Sequence, residues 1–459
     1  MTSVETAKGG GSTPTDAGAI EKATIRRVAI RLIPLLMMGY FCAYIDRSNV
    51  GMAATTMVKD LSFSNAAFGF GAGLFFIGYF AAEVPSNLIL NRVGARRWLA
   101  RILLTWGIIS ALSAFVWNDW SFYINRILLG MAEAGFYPGV VLYLTWWFPS
   151  GYRTRMMAMF QAAAVISLFI GPPLGGVLLE LEGLLGLHGW QWLYLLESLP
   201  PIVLSVVFYF FLTDRPADAT WLKPEQRAWL VERLESERVQ REAIHKFSLA
   251  GAFSNPKVWM IAIAYIGVNM ISYGLAFFLP LIVKGLGVST GMIGLVTAVP
   301  YICAFGAMLA WGWHSDLTGE RTWHVAGPCL FCAASLATVA LVGVSHPVLT
   351  MAAITCAVVG LQSMQSPFWS IPSALLTGSA AAGGIAMINA TGALGGLIGP
   401  WIFGTVRDAT GSDSMGLLCL SVAPLISAIL LVLVGHDRRM ERVPPRGRAA
   451  ETQSVPTSA

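Results

Sequence analysis

Apolar runs of about 20 residues recur from near residue 32 to near residue 435, and short polar stretches punctuate them. Each run is long enough to cross a hydrocarbon core as a helix. About twelve can be placed, near 32–53, 66–90, 99–117, 121–147, 157–179, 191–212, 257–283, 291–312, 323–343, 348–371, 381–405 and 414–435. The one long hydrophilic stretch between them, 213–255, divides the spans six and six. The pattern predicts an all-α membrane protein of twelve transmembrane helices in two six-helix bundles. The expected organisation is a disordered tail over 1–27, a first bundle over 28–212, and a linker over 213–255 carrying an amphipathic surface helix. A second bundle over 256–436 and a disordered tail over 437–459 complete it.

Composition agrees. Of 459 residues 56% are hydrophobic and 12% charged, against roughly 25% charged in soluble domains. Of 30 Lys and Arg, all but Arg47, Lys59, Arg126, Lys284 and Arg407 fall in tails, loops or span ends that share one side. The bias of basic residues toward the cytoplasm places both termini and the linker there. The net charge of +5 reflects that asymmetry and does not point to nucleic acid. The six cysteines all lie in apolar spans, and Cys329 and Cys332, spaced CxxC without a second pair or a nearby His, read as small buried hydrophobes. No cluster with metal-ligand spacing, serine–histidine pair or phosphate loop is legible, so neither enzyme chemistry nor a cofactor is expected.

Charge inside the spans carries the functional signal. A charged side chain at a helix centre costs about 3 kcal/mol even on the milder scales, so such residues face a partner or a watery cavity. Asp46 and Arg47 lie in span 1, Arg126 and Glu133 in span 4. At about 1.5 Å per residue, Arg47 and Arg126 come to similar depth, and Glu133 lies two turns beyond Arg126 on the same face. Asp46 and Arg47 point about 100° apart. Two cations and two acids are therefore expected at one cavity. A carboxylate that takes one guanidinium leaves surplus negative charge, which a proton on Asp46 or Glu133 cancels. Anion binding and protonation then favour each other, as symport requires. A pair of structural salt bridges between spans 1 and 4 is the plainer account.

The second half has no charge deep in a span. Its polar candidates are Gln362, Gln365, Ser366, Trp369 and Ser370 in span 10, and Asn389 and Thr391 in span 11. Amides and hydroxyls suit the oxygens of an organic acid, and interhelical packing is the alternative for each. Glu83 is expected to pair with basic loop residues, and Glu197, placed toward the cytoplasmic end of its span, receives no role.

Several segments resemble one family. Asn91-Arg92-Val93-Gly94-Ala95-Arg96-Arg97 and Gly312-Trp313-His314-Ser315-Asp316-Leu317-Thr318-Gly319-Glu320-Arg321 are matching turns in the two halves, as an internal repeat gives. They are similar to the loop motif of the major facilitator superfamily, with Asn91 where an Asp is common. Tyr44-Ile45-Asp46-Arg47-Ser48-Asn49-Val50-Gly51, Glu83-Val84-Pro85-Ser86-Asn87, Arg126 through Gly139, and Ile388 through Gly396 with Gly399-Pro400 resemble its anion:cation symporter family. The resemblance implies proton-coupled uptake of an organic carboxylate (a tartrate-like, sugar or aromatic acid) by alternating access across a bacterial inner membrane, by a monomer. It implies Arg47 and Arg126 as anion-binding cations, Asp46 and Glu133 as proton carriers, and Tyr44, Tyr79 and Gln161 as cavity-lining residues. An exporter of organic anions or drugs with the same fold is the alternative; a transporter-like sensor without flux is a more distant one.

Overall fold

The computed structural model describes residues 14–244, 255–343, 346–375 and 378–435. Fifteen helices run through them: α1 (Pro14–Asp60), α2 (Asn65–Val93), α3 (Ala95–Leu112), α4 (Asp119–Glu133), α5 (Phe136–Trp147), α6 (Ser150–Leu179), α7 (Gly189–Phe211), α8 (Pro224–Ile244), α9 (Pro256–Gly285), α10 (Thr290–Thr318), α11 (Thr322–Val342), α12 (Pro347–Phe368), α13 (Ser370–Leu375), α14 (Gly378–Thr410) and α15 (Asp413–Val434). Among the described residues, ten helical segments are long and apolar enough to cross a membrane. The other two expected spans fall on α12, whose apolar stretch Pro347–Ser363 is shorter, and on α14.

Two bundles result. In the first, α1 packs on α6 and α7, α3 on α7, and α2 on α4; in the second, α9 packs on α14 and α15, and α11 on α12 and α15. They meet where α2 lies along α14, α6 along α10 and α1 along α9. Glycine sets how closely helices approach within a bundle. A Cβ on Gly78 of α2 would strike the Ile127 carbonyl of α4, and one on Gly130 of α4 would strike the Phe75 carbonyl of α2. These two glycines seat the arginine-bearing helix directly on α2.

Three expectations change in detail. The tail expected over 1–27 is helical from Pro14: Ile25, Val28 and Leu32 are buried on one stripe, and Glu21 accepts a bond from Tyr152 Oη at 2.9 Å. Residues 1–13 and the tail 437–459 lie outside the described residues. Span 4 is broken into α4 and α5 directly after Glu133, where Gly135 adopts φ +89°, a conformation that costs a residue with a Cβ about 1–2 kcal/mol. Span 10 breaks at Trp369 between α12 and α13, where Pro367 and Pro372 flank the turn. The linker helix is α8; it lies against α1 and α5 and anchors through Glu237, which accepts from Ser150 N at 3.0 Å.

At the linker face, Asp214 answers the missing acid of the first-half loop. Its Oδ1 accepts from Arg96 N at 2.8 Å at the start of α3. In the second half Arg321 keeps its own acid, at 2.8 Å from Asp316. At the opposite, far face the bundles are joined. Asp408 of α14 accepts from the first amides of α2, Asn65 N at 3.0 Å and Ala66 N at 2.7 Å, and Lys284 of α9 donates to the Thr55 carbonyl in the last turns of α1.

Candidate functional site

Asp46 and Arg47 are neighbours on α1 whose side chains diverge, as helical geometry requires. Arg47 reaches α4, where its Nη2 and Nε stand 2.6 and 2.8 Å from Glu133 Oε1. Tyr44, Phe75 and Tyr79 surround the guanidinium, with ring centroids 5.4, 5.5 and 5.0 Å away. Tyr273 of α9, from the other bundle, also lies within electrostatic reach of it. Glu133 is fully buried, and its second oxygen has no hydrogen-bond partner among the described residues.

Asp46 turns instead to α3. Trp106 Nε1 donates to Oδ2 at 2.9 Å, Ser110 Oγ donates to Oδ1, and Asn49 Nδ2 donates to Oδ1 at 3.3 Å. The two acids therefore turn to different helices. Glu133 pairs with Arg47 of α1, and Asp46 is held by α3. Trp106 and Ser110 stand one helical turn apart on a single face, a spacing visible in the sequence but not singled out there.

Arg126 differs from both. The capping box of Asn118 with Ser121 fixes the start of α4, which puts Arg126 two turns in and 1% exposed. None of its three guanidinium nitrogens has a hydrogen-bond partner among the described residues. Asp46, Glu133 and Tyr194 lie within electrostatic range without bonding it. The Phe75 ring meets both cations, 5.2 Å from Arg126 and 5.5 Å from Arg47. A buried guanidinium with all its donors unused is costly unless something else accepts from it, and a planar carboxylate matches that fork.

The remaining candidates sit in aromatic and polar contacts of their own. Tyr40 stacks on Phe160 and Tyr137, 4.5 and 5.3 Å away, and meets Tyr44 edge-on at 5.0 Å. Gln161 Nε2 donates to Tyr137 Oη at 3.2 Å. From the second bundle, Trp369 stands edge-on to Tyr265 at 5.1 Å, and Gln365 Nε2 donates to Gln362 Oε1 at 3.0 Å. Ser370 is half-buried and Asn389 exposed; the Ser366 side chain lies outside the described residues. Tyr265, Asn269 and Tyr273 form a polar stripe on α9 at a spacing of four, which could have been read from the sequence and was not. Glu197, expected toward the cytoplasmic end of its span, stands instead in the first half of α7, beside Asn49 and Asp46. Cys329 and Cys332 are buried and free, whereas Cys303, Cys356 and Cys419 are exposed. Among the described residues no group of His, Cys, Asp and Glu could hold a metal ion.

The family model described as Major Facilitator Superfamily matches residues 36–400. A proposed tartrate transporter of Agrobacterium vitis is 48% identical over 418 residues, covering 91% of this chain and 92% of its own. A quinolone resistance transporter of Acinetobacter baumannii is 39% identical over 90% of this chain and 95% of its own. Among solved structures, a bacterial homologue of the human lysosomal transporter Spinster, inward-facing and occupied, superposes with a TM-score of 0.73 at 14% identity, over 92% of this chain and 97% of that one. That likeness speaks for the fold.

Proposed function

The chain belongs to the Major Facilitator Superfamily and is a multi-pass membrane transporter; from that premise we propose that it carries an organic carboxylate, of tartrate-like, sugar-acid or aromatic type, together with protons. The observation that carries this reading is Arg126, a cation buried with every donor unused beside two acids. An arriving carboxylate takes the Arg126 fork and brings negative charge into a dry compartment. A proton on Glu133 or Asp46 restores neutrality, because a neighbouring anion favours the neutral form of a buried acid. A proton on Glu133 also releases Arg47 from its ion pair, so a second carboxylate of the same substrate finds a second cation. Tyr44, Tyr79, Gln161, Gln365, Trp369, Ser370 and Asn389 supply the polar and aromatic groups for the rest of the molecule, with Ser366 next to Gln365 on α12.

Alternating access follows from the division into bundles. The far-face contacts of Asp408 and Lys284 hold one entrance shut, and their release with closure at the linker face exposes the site to the other side. The basic tails and linker support a cytoplasmic linker face in a bacterial inner membrane. The Agrobacterium relative's name supports tartrate as the first acid to try, and the Acinetobacter relative's name supports export as a second reading. Flux in inside-out vesicles under an imposed pH gradient separates the directions.

The test is a thermal-shift panel of organic acids on the purified protein. A ligand at 100 times its dissociation constant adds about 2.7 kcal/mol of stability. Arg126→Ala is expected to abolish the shift, and an undiminished shift in that variant refutes the role of Arg126. Glu133→Gln is expected to bind the same acid yet lose accumulation against a gradient; intact uphill uptake refutes its role.

A further inference from the structure

One buried acid stands outside this scheme. Glu197, nine residues into α7, is 8% exposed, and among the described residues neither of its oxygens has a hydrogen-bond partner of ordinary geometry. No Lys or Arg lies within ion-pair distance of it among the described residues. Its neighbours on α7 and α1 are Tyr194, Cys42, Asp46 and Asn49. The α6 side is apolar: Glu197 lines a cleft of about 720 Å³ together with Ala163, Ile166, Leu174 and Leu178 of α6 and Phe41 of α1. An ionised carboxylate there would be a buried charge without a cation, the arrangement proteins avoid most strongly.

Asn49 resolves the local accounting. Its Nδ2 donates to Asp46 Oδ1 at 3.3 Å, while its own Oδ1 is buried with no donor among the described residues. Asn49, which stands beside Glu197, thus carries an acceptor lacking a donor, and Glu197 carries a carboxyl group lacking a bond. A hydrogen on Glu197 satisfies both, since a protonated carboxyl donates one O–H while keeping acceptor capacity. We propose that Glu197 is a protonated positioning residue: its O–H donates to Asn49 Oδ1 and so holds the Asn49 amide with its NH2 on Asp46. The arrangement fixes which way the amide points, because the reverse orientation would set two acceptors against each other. Glu197 transfers no proton to the substrate site. It keeps Asp46 in a fixed, fully hydrogen-bonded geometry. The role in transport rests on the symport reading above, whereas the protonation of Glu197 does not.

Infrared difference spectroscopy and transport together test this. The ligand-free protein near neutral pH is expected to show a protonated-carboxyl stretch that disappears in Glu197→Gln and Glu197→Ala alike. A spectrum unchanged by both substitutions means that Glu197 is ionised, which overturns the proposal. In proteoliposomes Glu197→Gln, whose amide still donates, is expected to retain proton-driven uptake and to extend it to more alkaline pH, because its donor cannot be titrated away. Glu197→Ala removes the donor and is expected to cut uptake at least tenfold at every pH. Equal uptake and coincident pH profiles in both variants would overturn the positioning role. A band lost on schedule in a protein whose unmodified form shows no pH-driven uptake would sink the symport reading and leave the protonated Glu197 standing.

Discussion

At Arg126 the requirement is geometric as well as electrostatic. A lysine there keeps the charge but loses the planar fork, and a charge-assisted bond is worth about 1.5–3 kcal/mol. Arg126→Lys is therefore expected to weaken substrate binding by roughly tenfold or more without destabilising the protein, measured by titration with the acid that gives the largest thermal shift. A second residue-scale prediction concerns the far-face loop. Glu182 Oε2 accepts from Gly189 N at 2.6 Å and Oε1 meets His188 Nδ1 at 2.8 Å. The Gly189 amide holds the Glu182 carboxyl below its ordinary range, and the bond to Glu182 holds the His188 imidazole above its own. The imidazole's contribution is fully present below the ordinary His range and is lost as pH rises through the raised value. The carboxyl's contribution is present above the ordinary carboxylate range and is lost as pH falls through the depressed value. Glu182→Gln is accordingly expected to lower Tm most in weakly acidic solution, with the difference shrinking as pH rises and His188 loses its proton; a constant difference across that range contradicts it. The charged residues of the site stood out in the sequence because charge in an apolar span is rare. Their partners did not: Ser110 and Trp106 lie about 60 positions from Asp46, and nothing local marks which acid they will serve.

At the scale of elements, the break between α4 and α5 places Glu133 at a helix end and turns the chain away from the site. A Cβ at Gly135 would meet the Ser86 side chain of α2 as well as an unfavourable φ. Gly135→Ala is expected to cost about 2 kcal/mol or more, seen as a lowered Tm, with substrate affinity falling alongside because Glu133 shifts. A Tm unchanged within error would show that this turn carries no strain. Hydropathy made the spans legible because a bilayer demands long apolar helices. It could not show that span 4 is interrupted, since Ala134-Gly135 is as apolar as its surroundings. The start of α1 was hidden for the opposite reason. Its charged pairs, Glu21-Lys22 and Arg26-Arg27, mask the Ile25-Val28-Leu32 stripe that docks it.

For the whole molecule, two helix-terminus contacts of opposite sign join the bundles at the far face. The Asp408 carboxylate sits on the positive N-terminal end of α2, and Lys284 on the carbonyl-rich last turns of α1. Such contacts are worth about 0.3–1 kcal/mol each when exposed and about 2 kcal/mol when partly buried. Asp408→Ala is expected to shift the equilibrium between access states severalfold toward opening at this face. Longer distances between spin labels placed there would record the shift, and an unchanged distance distribution would remove Asp408 from the gate. The central claim binds the scales together: an anion reaches Arg126 only as an acid beside it gains a proton. Counting the protons taken up per ligand bound, by purified protein in weakly buffered solution at neutral pH, tests it most directly. The account predicts about one proton for each carboxylate that a guanidinium accepts, and saturable binding with no proton uptake would contradict it.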